Sequence, residues 1–277
     1  MSEVDIEAAH RPHDEGVIVP LAPPIRVALI GAGRIGSHHA AAIARDVHAA
    51  SLAVIVDPRI DTATALAHGL GARAEADASG VLKDPDIDAI VVTTPAALHR
   101  DLIVEAAAAG KHVFTEKPIT TDLVEADECV AAAQQAGVVL QVGFNRRFAP
   151  GFAAARAAVD NGAFATAEAS FSASYGYDVR GEVFGDGGMA TAGSTRMSDM
   201  DYYGPAGVSH DTARADTELL HGAYVAEFVA FVDAIRSGAD ASAIPTGEDG
   251  VRSLEIARAA IISVSESHTV SLEEVAR

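Results

Sequence analysis

Three glycines and one aspartate are the residues in this chain best spaced to do chemistry. Gly31, Gly33 and Gly36 form a G-x-G-x-x-G sequence that encloses Arg34 and Ile35. Glycine at the first position permits a tight turn, at the second lets a pyrophosphate approach the main chain, and at the third allows close packing of helix on strand. A helix that begins there offers unpaired N–H groups to phosphate oxygens. Asp57 follows Gly36 by 21 positions, where a carboxylate accepts hydrogen bonds from the ribose hydroxyls of a dinucleotide. A carboxylate at this point also repels a 2′-phosphate, which favours NAD over NADP, and Arg59 offsets part of that repulsion. A plain glycine-rich turn between core elements is the alternative reading.

Such a fingerprint needs a strand before it and a helix after it. The apolar run Ile25–Ile30 supplies the strand, and Ile35–Ala44 has helical spacing. Further strands are predicted at Leu52–Val56, Ala89–Thr93, His112–Thr115 and Val138–Val142, alternating with helices at Thr62–Leu70, Leu102–Ala109 and Leu123–Ala136. Buried apolar strands that alternate with helices define a parallel sheet covered on both faces, an α/β fold. After Asn145 the texture changes. Phe152–Val159 reads as a helix, Thr166–Tyr175 as a weakly alternating strand, and Glu182–Phe184 and Met189–Ala192 as short strands about the turn Gly185–Gly188. Ser194–Asp216 has no period and reads as loop. Tyr224, Phe228, Phe231, Val232 and Ile235 recur at helical spacing, as do Val251, Leu254, Ala257 and Ile261, with Thr246 as an N-cap. Thr269–Leu272 reads as a closing strand, and His38 and His39 as decoration on the first helix. The division is a flexible arm over 1–24, a dinucleotide-binding domain over 25–145 and a second domain over 146–277.

Composition narrows the function. The 277 residues are 49% apolar and carry a formal charge of −19. So acidic a surface repels nucleic-acid backbones and anionic lipid. No apolar run reaches the roughly 20 residues of a membrane span. Cys129 is the only cysteine, which excludes an intrachain disulfide or a multi-cysteine zinc site. No histidine–acid pair has ligand spacing with a third ligand in view, so no metal is expected. The first residues have neither a basic nor an apolar segment of a secretory signal, and a cytoplasmic protein is expected.

Four more segments belong with the fingerprint: Thr93-Thr94-Pro95 with His99; Glu116-Lys117-Pro118 after a strand; Gly143-Phe144-Asn145-Arg146-Arg147-Phe148; and Tyr175-Gly176-Tyr177-Asp178 followed by Glu182-Val183-Phe184-Gly185. Over nearly all of residues 25–277 the chain resembles the Gfo/Idh/MocA oxidoreductases, and within them the inositol 2-dehydrogenases. The resemblance implies an N-terminal Rossmann domain that binds NAD and an α+β domain with an open antiparallel sheet that holds a cyclic polyol or sugar. It implies that Lys117 stands beside the nicotinamide and the reacting hydroxyl as the catalytic residue, with a cis Lys117–Pro118 bond. Glu116, Thr94, Pro95 and His99 would lie on the cofactor side. Asn145, Arg146 and Tyr177 would face the substrate, although Asn145 and Arg146 equally suit a tie between domains. In the family resembled, the same sheet forms the subunit interface, which makes a homo-oligomer a candidate partner state, although a loss of strands from that sheet would put the usual tetramer in doubt.

One part of that pattern is missing. The family resembled here carries an Asp-x-x-x-His helix in its second domain, whose histidine takes the hydroxyl proton, work suited to an imidazole. No Asp-x-x-x-His occurs between Asn145 and Arg277. The likeness runs through Ala157–Gly162 and resumes near Ala165, which fits an internal deletion near residues 162–165 of roughly 50 residues, a helix and three strands. His210 with Asp211, or His221 with Asp216, are the substitutes on offer. Two readings stay open: an NAD-dependent polyol dehydrogenase, and a catalytically impaired dinucleotide-binding pseudoenzyme.

Overall fold

Strands and helices alternate through the first half of the chain. The computed structural model describes residues 22–161, 164–166, 180–185, 188–194, 196–205, 207–238 and 244–275. Its first elements are β1 (Ile25–Ile30), α1 (Arg34–Asp46), β2 (Ala50–Val56), α2 (Ile60–His68), β3 (Arg73–Glu75), α3 (Ser79–Lys83), β4 (Ala89–Val92), α4 (His99–Ala108), β5 (His112–Glu116), α5 (Leu123–Ala136) and β6 (Leu140–Gly143). The six strands pair in parallel in the order β3-β2-β1-β4-β5-β6. In β1, Val27 and Leu29 enter one core and Ala28 and Ile30 the other. Side chains that alternate into two buried layers explain why the strand reads as an unbroken apolar run. Cys129 lies in one of these layers, where burial pushes its thiol up to about 12.

The later elements are α6 (Pro150–Asp160), β7 (Phe164–Thr166), β8 (Gly181–Gly185), β9 (Gly188–Ala192), β10 (Arg196–Gly204), β11 (Gly207–Thr212), α7 (Asp216–Leu219), α8 (His221–Ser237) and α9 (Gly247–Glu266). Strands β7, β8 and β9 form one antiparallel sheet, and β10 and β11 another. The fold class is therefore a Rossmann-type parallel sheet with antiparallel strands in the C-terminal half. The last two helices return to the first sheet. Phe228, Phe231 and Val232 of α8 share a core with Leu29, Ile43 and Phe114, and Val251 and Leu254 of α9 pack with Ile119, Cys129 and Val142. Thr246 caps α9 with a capping box, its hydroxyl accepting from the Asp249 N–H while the Asp249 carboxylate accepts from the Thr246 N–H.

Several predicted elements need correction. Ser194–Asp216 is not loop: it holds the β10–β11 hairpin, followed by α7 from Asp216. Nearly every residue of that hairpin faces water, so there was no buried face to impose an alternating pattern. Thr269–Leu272 forms no strand. A 3-10 turn spans Leu272–Glu274, where Ser271 and Glu274 make a second capping box. His39 is not decoration but is wholly buried, on the inner face of α1 with Gly36, Ala40 and Ile43. The short elements β3 and α3 were not anticipated. The predicted strand Thr166–Tyr175 lies outside the described residues except for Thr166, which closes β7.

Candidate active site

The strand order reverses between β1 and β4, and in open α/β sheets the ligand crevice lies at such a switch point, outside the carboxyl ends of the strands. Gly31 has φ +106°, and a Cβ on it would lie 2.8 Å from the Thr93 carbonyl oxygen. A Cβ on Gly36 would lie 1.8 Å from the Gly31 oxygen, whereas one on Gly33 would meet nothing within 4 Å. The first and third glycines are therefore fixed by packing, and the second by open space in front of the main chain. Thr93 locks the loop from beneath, its hydroxyl donating to the Gly31 carbonyl at 2.7 Å. No side chain caps the N-terminus of α1, so its N–H groups face the crevice unclaimed. Arg34 stands exposed on the first turn and Ile35 is half-buried beside it.

Asp57 follows β2 and is buried. One carboxylate oxygen accepts from the Ala32 N–H at 2.9 Å, and the other from the Arg59 N–H at 2.9 Å. Burial pushes this carboxyl up, but the N–H groups of Arg59 and Ala32 and the Arg59 side chain outweigh it, and the net position is below the ordinary value. An ionised carboxylate thus stands beside the glycine loop, with the Nε of the largely exposed Arg59 side chain 3.4 Å from it. Loop, helix N-terminus and carboxylate together fit a dinucleotide: open main chain for the pyrophosphate and an acceptor for the ribose.

The Glu116-Lys117-Pro118 segment leaves the end of β5. The Lys117–Pro118 peptide is cis, as expected. Glu116 turns inward. One oxygen accepts from His39 Nε2 at 2.7 Å and the other from the Lys117 N–H at 3.0 Å. Lys117 is exposed, and its ammonium makes no ion pair or hydrogen bond among the described residues. Thr94 and Pro95 follow β4, Pro95 exposed and Thr94 half-buried with an unpartnered hydroxyl. His99 is buried at the start of α4. Its Nε2 lies 2.9 Å from the Thr94 carbonyl and its Nδ1 2.9 Å from the Pro118 carbonyl. The ring therefore ties the Thr94 loop to the Lys117–Pro118 turn and supports the site from within.

Asn145 and Arg146 open a 3-10 turn after β6, both half-buried. Arg147, next in sequence, pairs with Asp249 of α9 at 2.7 Å. Tyr177 lies outside the described residues. Arg34 pairs with Asp216 of α7 at 2.9 Å, and Asp216 also accepts from the Tyr224 hydroxyl at 3.1 Å. Of the two substitute bases, His221 begins α8 with its Nε2 3.5 Å from Asp46, and His210 is exposed on β11. The sequence reading missed the burial of His39, which bonds Glu116, and missed Glu227 and Gln141, also buried, the Gln141 amide donating to the Glu227 main-chain oxygen. For His39 the signal was present in the spacing of Gly36, His39 and Ile43, which places it on the helix face that packs.

This parallel sheet, with a glycine loop at its switch point and a carboxylate after β2, defines a dinucleotide-binding protein of the Rossmann class. Residues 25–144 match the Gfo/Idh/MocA oxidoreductase family's NAD-binding Rossmann fold, and residues 120–272 match its C-terminal alpha/beta domain. The chain belongs to this oxidoreductase family. It is 27% identical over 332 aligned positions to scyllo-inositol 2-dehydrogenase (NAD(+)) of Bacillus subtilis, covering 90% of this chain and 96% of that protein. That alignment is longer than the 277 residues of the chain itself, so it contains positions with no residue on this side. Inositol 2-dehydrogenase of Rhizobium meliloti is 28% identical, over 90% of this chain and 99% of the other. A crystal structure of a myo-inositol dehydrogenase from Corynebacterium glutamicum superposes with a TM-score of 0.77 at 30% identity, covering 89% of this chain and 98% of that one.

Proposed function

We propose that this chain is an NAD-dependent dehydrogenase that oxidises a ring carbinol of a cyclic polyol or sugar, with an inositol as the leading substrate. The observation that carries the reading is Lys117, an exposed ammonium without a counter-ion among the described residues, whose main chain Glu116 fixes beside the dinucleotide loop. The names of the similar proteins support the substrate class. The ionised Asp57, braced by two N–H groups, supports NAD over NADP.

When bound, the nicotinamide supplies the hydride acceptor. Gly31, Gly33 and Gly36, with Arg34 and Ile35 on the first turn of α1, hold the pyrophosphate, and Asp57 holds the ribose. Thr94 and Pro95 border the nicotinamide side, with His99 and Glu116 bracing them from below. Asn145, Arg146 and Tyr177 are the proposed substrate contacts. Lys117 donates a hydrogen bond to the reacting hydroxyl oxygen and stabilises negative charge as it grows there.

A second reading has its own observation. The chain passes from α6, ending at Asp160, to β7, beginning at Phe164, and no Asp-x-x-x-His follows Asn145. Without a general base the step loses about 10²–10⁴-fold, which describes a dinucleotide-binding protein with impaired turnover. One experiment separates the two: NADH formation with myo- and scyllo-inositol, with NAD binding followed by calorimetry on the same sample. Binding with turnover at ordinary enzyme rates supports the dehydrogenase. Binding without turnover selects the impaired protein, and absence of both rejects the two together.

A further inference from the structure

A second group of polar side chains lies beneath Glu116, and no step proposed above uses it. His39 of α1, Gln141 of β6 and Glu227 of α8 are each fully buried, 0% exposed. Tyr224, Glu227, Phe228 and Phe231 occupy one face of α8 at helical spacing. The rings of Tyr224 and Phe228 stand 5.3 and 5.0 Å from the His39 imidazole. The Gln141 amide donates to the Glu227 main-chain oxygen at 2.9 Å. Glu227 is thus enclosed in the layer where α1, α8 and the sheet meet.

The hydrogen-bond inventory of this layer is incomplete in one direction. Both Glu227 carboxyl oxygens, Gln141 Oε1 and His39 Nδ1 have no partner among the described residues. His39 donates to Glu116 from Nε2, so in the neutral ring Nδ1 is an acceptor. With the His39 ring neutral and Glu227 ionised, all four atoms would be acceptors and none a donor, a costly arrangement out of water. A single proton on Glu227 converts one of the four into a donor. No lysine or arginine pairs with Glu227 among the described residues. The titratable groups that act on it are Glu116 from β5 and Tyr224 on its own helix, and the His39 ring of α1 stands against that same Tyr224. Burial, and then the charge of Glu116, push the Glu227 carboxyl well above its ordinary value.

We propose that Glu227 is a neutral acid that orients His39, and that the pair is a positioning device for Glu116 and, through it, for the main chain of Lys117. In this arrangement the Glu227 O–H reaches His39 Nδ1 through one buried water. His39 Nε2–H then reaches Glu116 at 2.7 Å, and the Lys117 N–H reaches the other Glu116 oxygen at 3.0 Å. No bond is made or broken. The importance of the device for turnover rests on the reading of Lys117 as the catalytic residue.

The test uses the full chain with Glu227→Gln, Glu227→Leu and His39→Phe, and two readouts that need no turnover. The first is urea stability between pH 5 and 8. A carboxyl raised on folding keeps its proton in the native state and loses it in the unfolded one. The wild-type folding constant therefore falls by about tenfold per pH unit above the unfolded carboxyl's pKa, until the native pKa is passed. Glu227→Gln, which mimics the neutral acid, removes that contribution and flattens the slope. The second readout is hydrogen exchange of the Lys117 amide. Protection persists in Glu227→Gln and is lost in Glu227→Leu and His39→Phe. A wild-type pH slope in Glu227→Gln overturns the neutral acid, and unchanged Lys117 protection in His39→Phe overturns the positioning role. If Glu227→Leu does not fold, the other two variants still decide both points. A chain that binds NAD without reducing it would reject the proposed activity and leave this inference intact.

Discussion

The two halves of the molecule meet water in opposite ways. In the parallel sheet, both faces of β1 and β4 are buried, and even polar groups such as His39, His99 and Gln141 are enclosed and held by main-chain or carboxylate partners. In the β10–β11 hairpin, Tyr202 and Tyr203 are 61% and 77% exposed, with Met197, Met200 and Val208 also open to solvent. The lesson concerns where precision resides. The Lys117 turn is fixed from several directions by groups that cannot move without leaving buried polar atoms unpaired. The hairpin is held by its own ladder and presents side chains that nothing among the described residues covers. The lysine chemistry proposed above would rest on the first region, while the exposed hairpin contributes little to the core.

Four substitutions test that contrast, in order of expected effect. Phe228→Ala removes a buried ring stacked on Phe114 at a centroid distance of 4.4 Å. It should cost about 3–5 kcal/mol of folding free energy, measured by urea unfolding. A cost below about 1 kcal/mol would mean that α8 is not part of the first core. Lys117→Met should lower NAD reduction by about 10²–10³-fold, the scale of one lost stabiliser of developing charge, with NAD affinity unchanged by calorimetry. Equal loss of affinity would place Lys117 in binding instead of chemistry. Thr246→Ala, which removes the α9 cap, should cost about 1 kcal/mol. Tyr203→Ser should change stability by less than about 0.5 kcal/mol. A larger loss that depends on protein concentration would show that a second chain covers this surface.

The contrast also governs how much could be read in advance. The strands Ile25–Ile30 and Ala89–Val92 announced themselves because burial on both faces demands apolar runs. Gly31 and Gly36 were legible because close approach restricts which residue fits, whereas the cis Lys117–Pro118 bond followed only from the family resemblance. The β10–β11 hairpin was illegible because a strand exposed on both faces carries no pattern. His99 and Glu116 were noticed in sequence, but not their inward direction. Whether a polar side chain faces a ligand or a neighbouring carbonyl depends on strand ends that are far apart in the chain, such as Thr94 and Pro118. Glu227 gave no signal at all, since a lone acid in an apolar helix looks the same whether it meets water or the core.

The return of α8 and α9 to the first sheet has a consequence in polymer terms. Residues after β6 leave a folded body and come back to it, with the Pro245 carbonyl accepting from Val142 N–H and Thr246 bridging Gln141 along the edge of β6. The C-terminal strands are therefore an excursion, a loop whose two ends are already anchored. The entropy of closing such a loop grows only with the logarithm of its length, about 0.6 kcal/mol per doubling. The anchored body is thus nearly indifferent to how many strands the excursion contains. Strands can be gained or lost there over evolutionary time while the dinucleotide crevice stays folded.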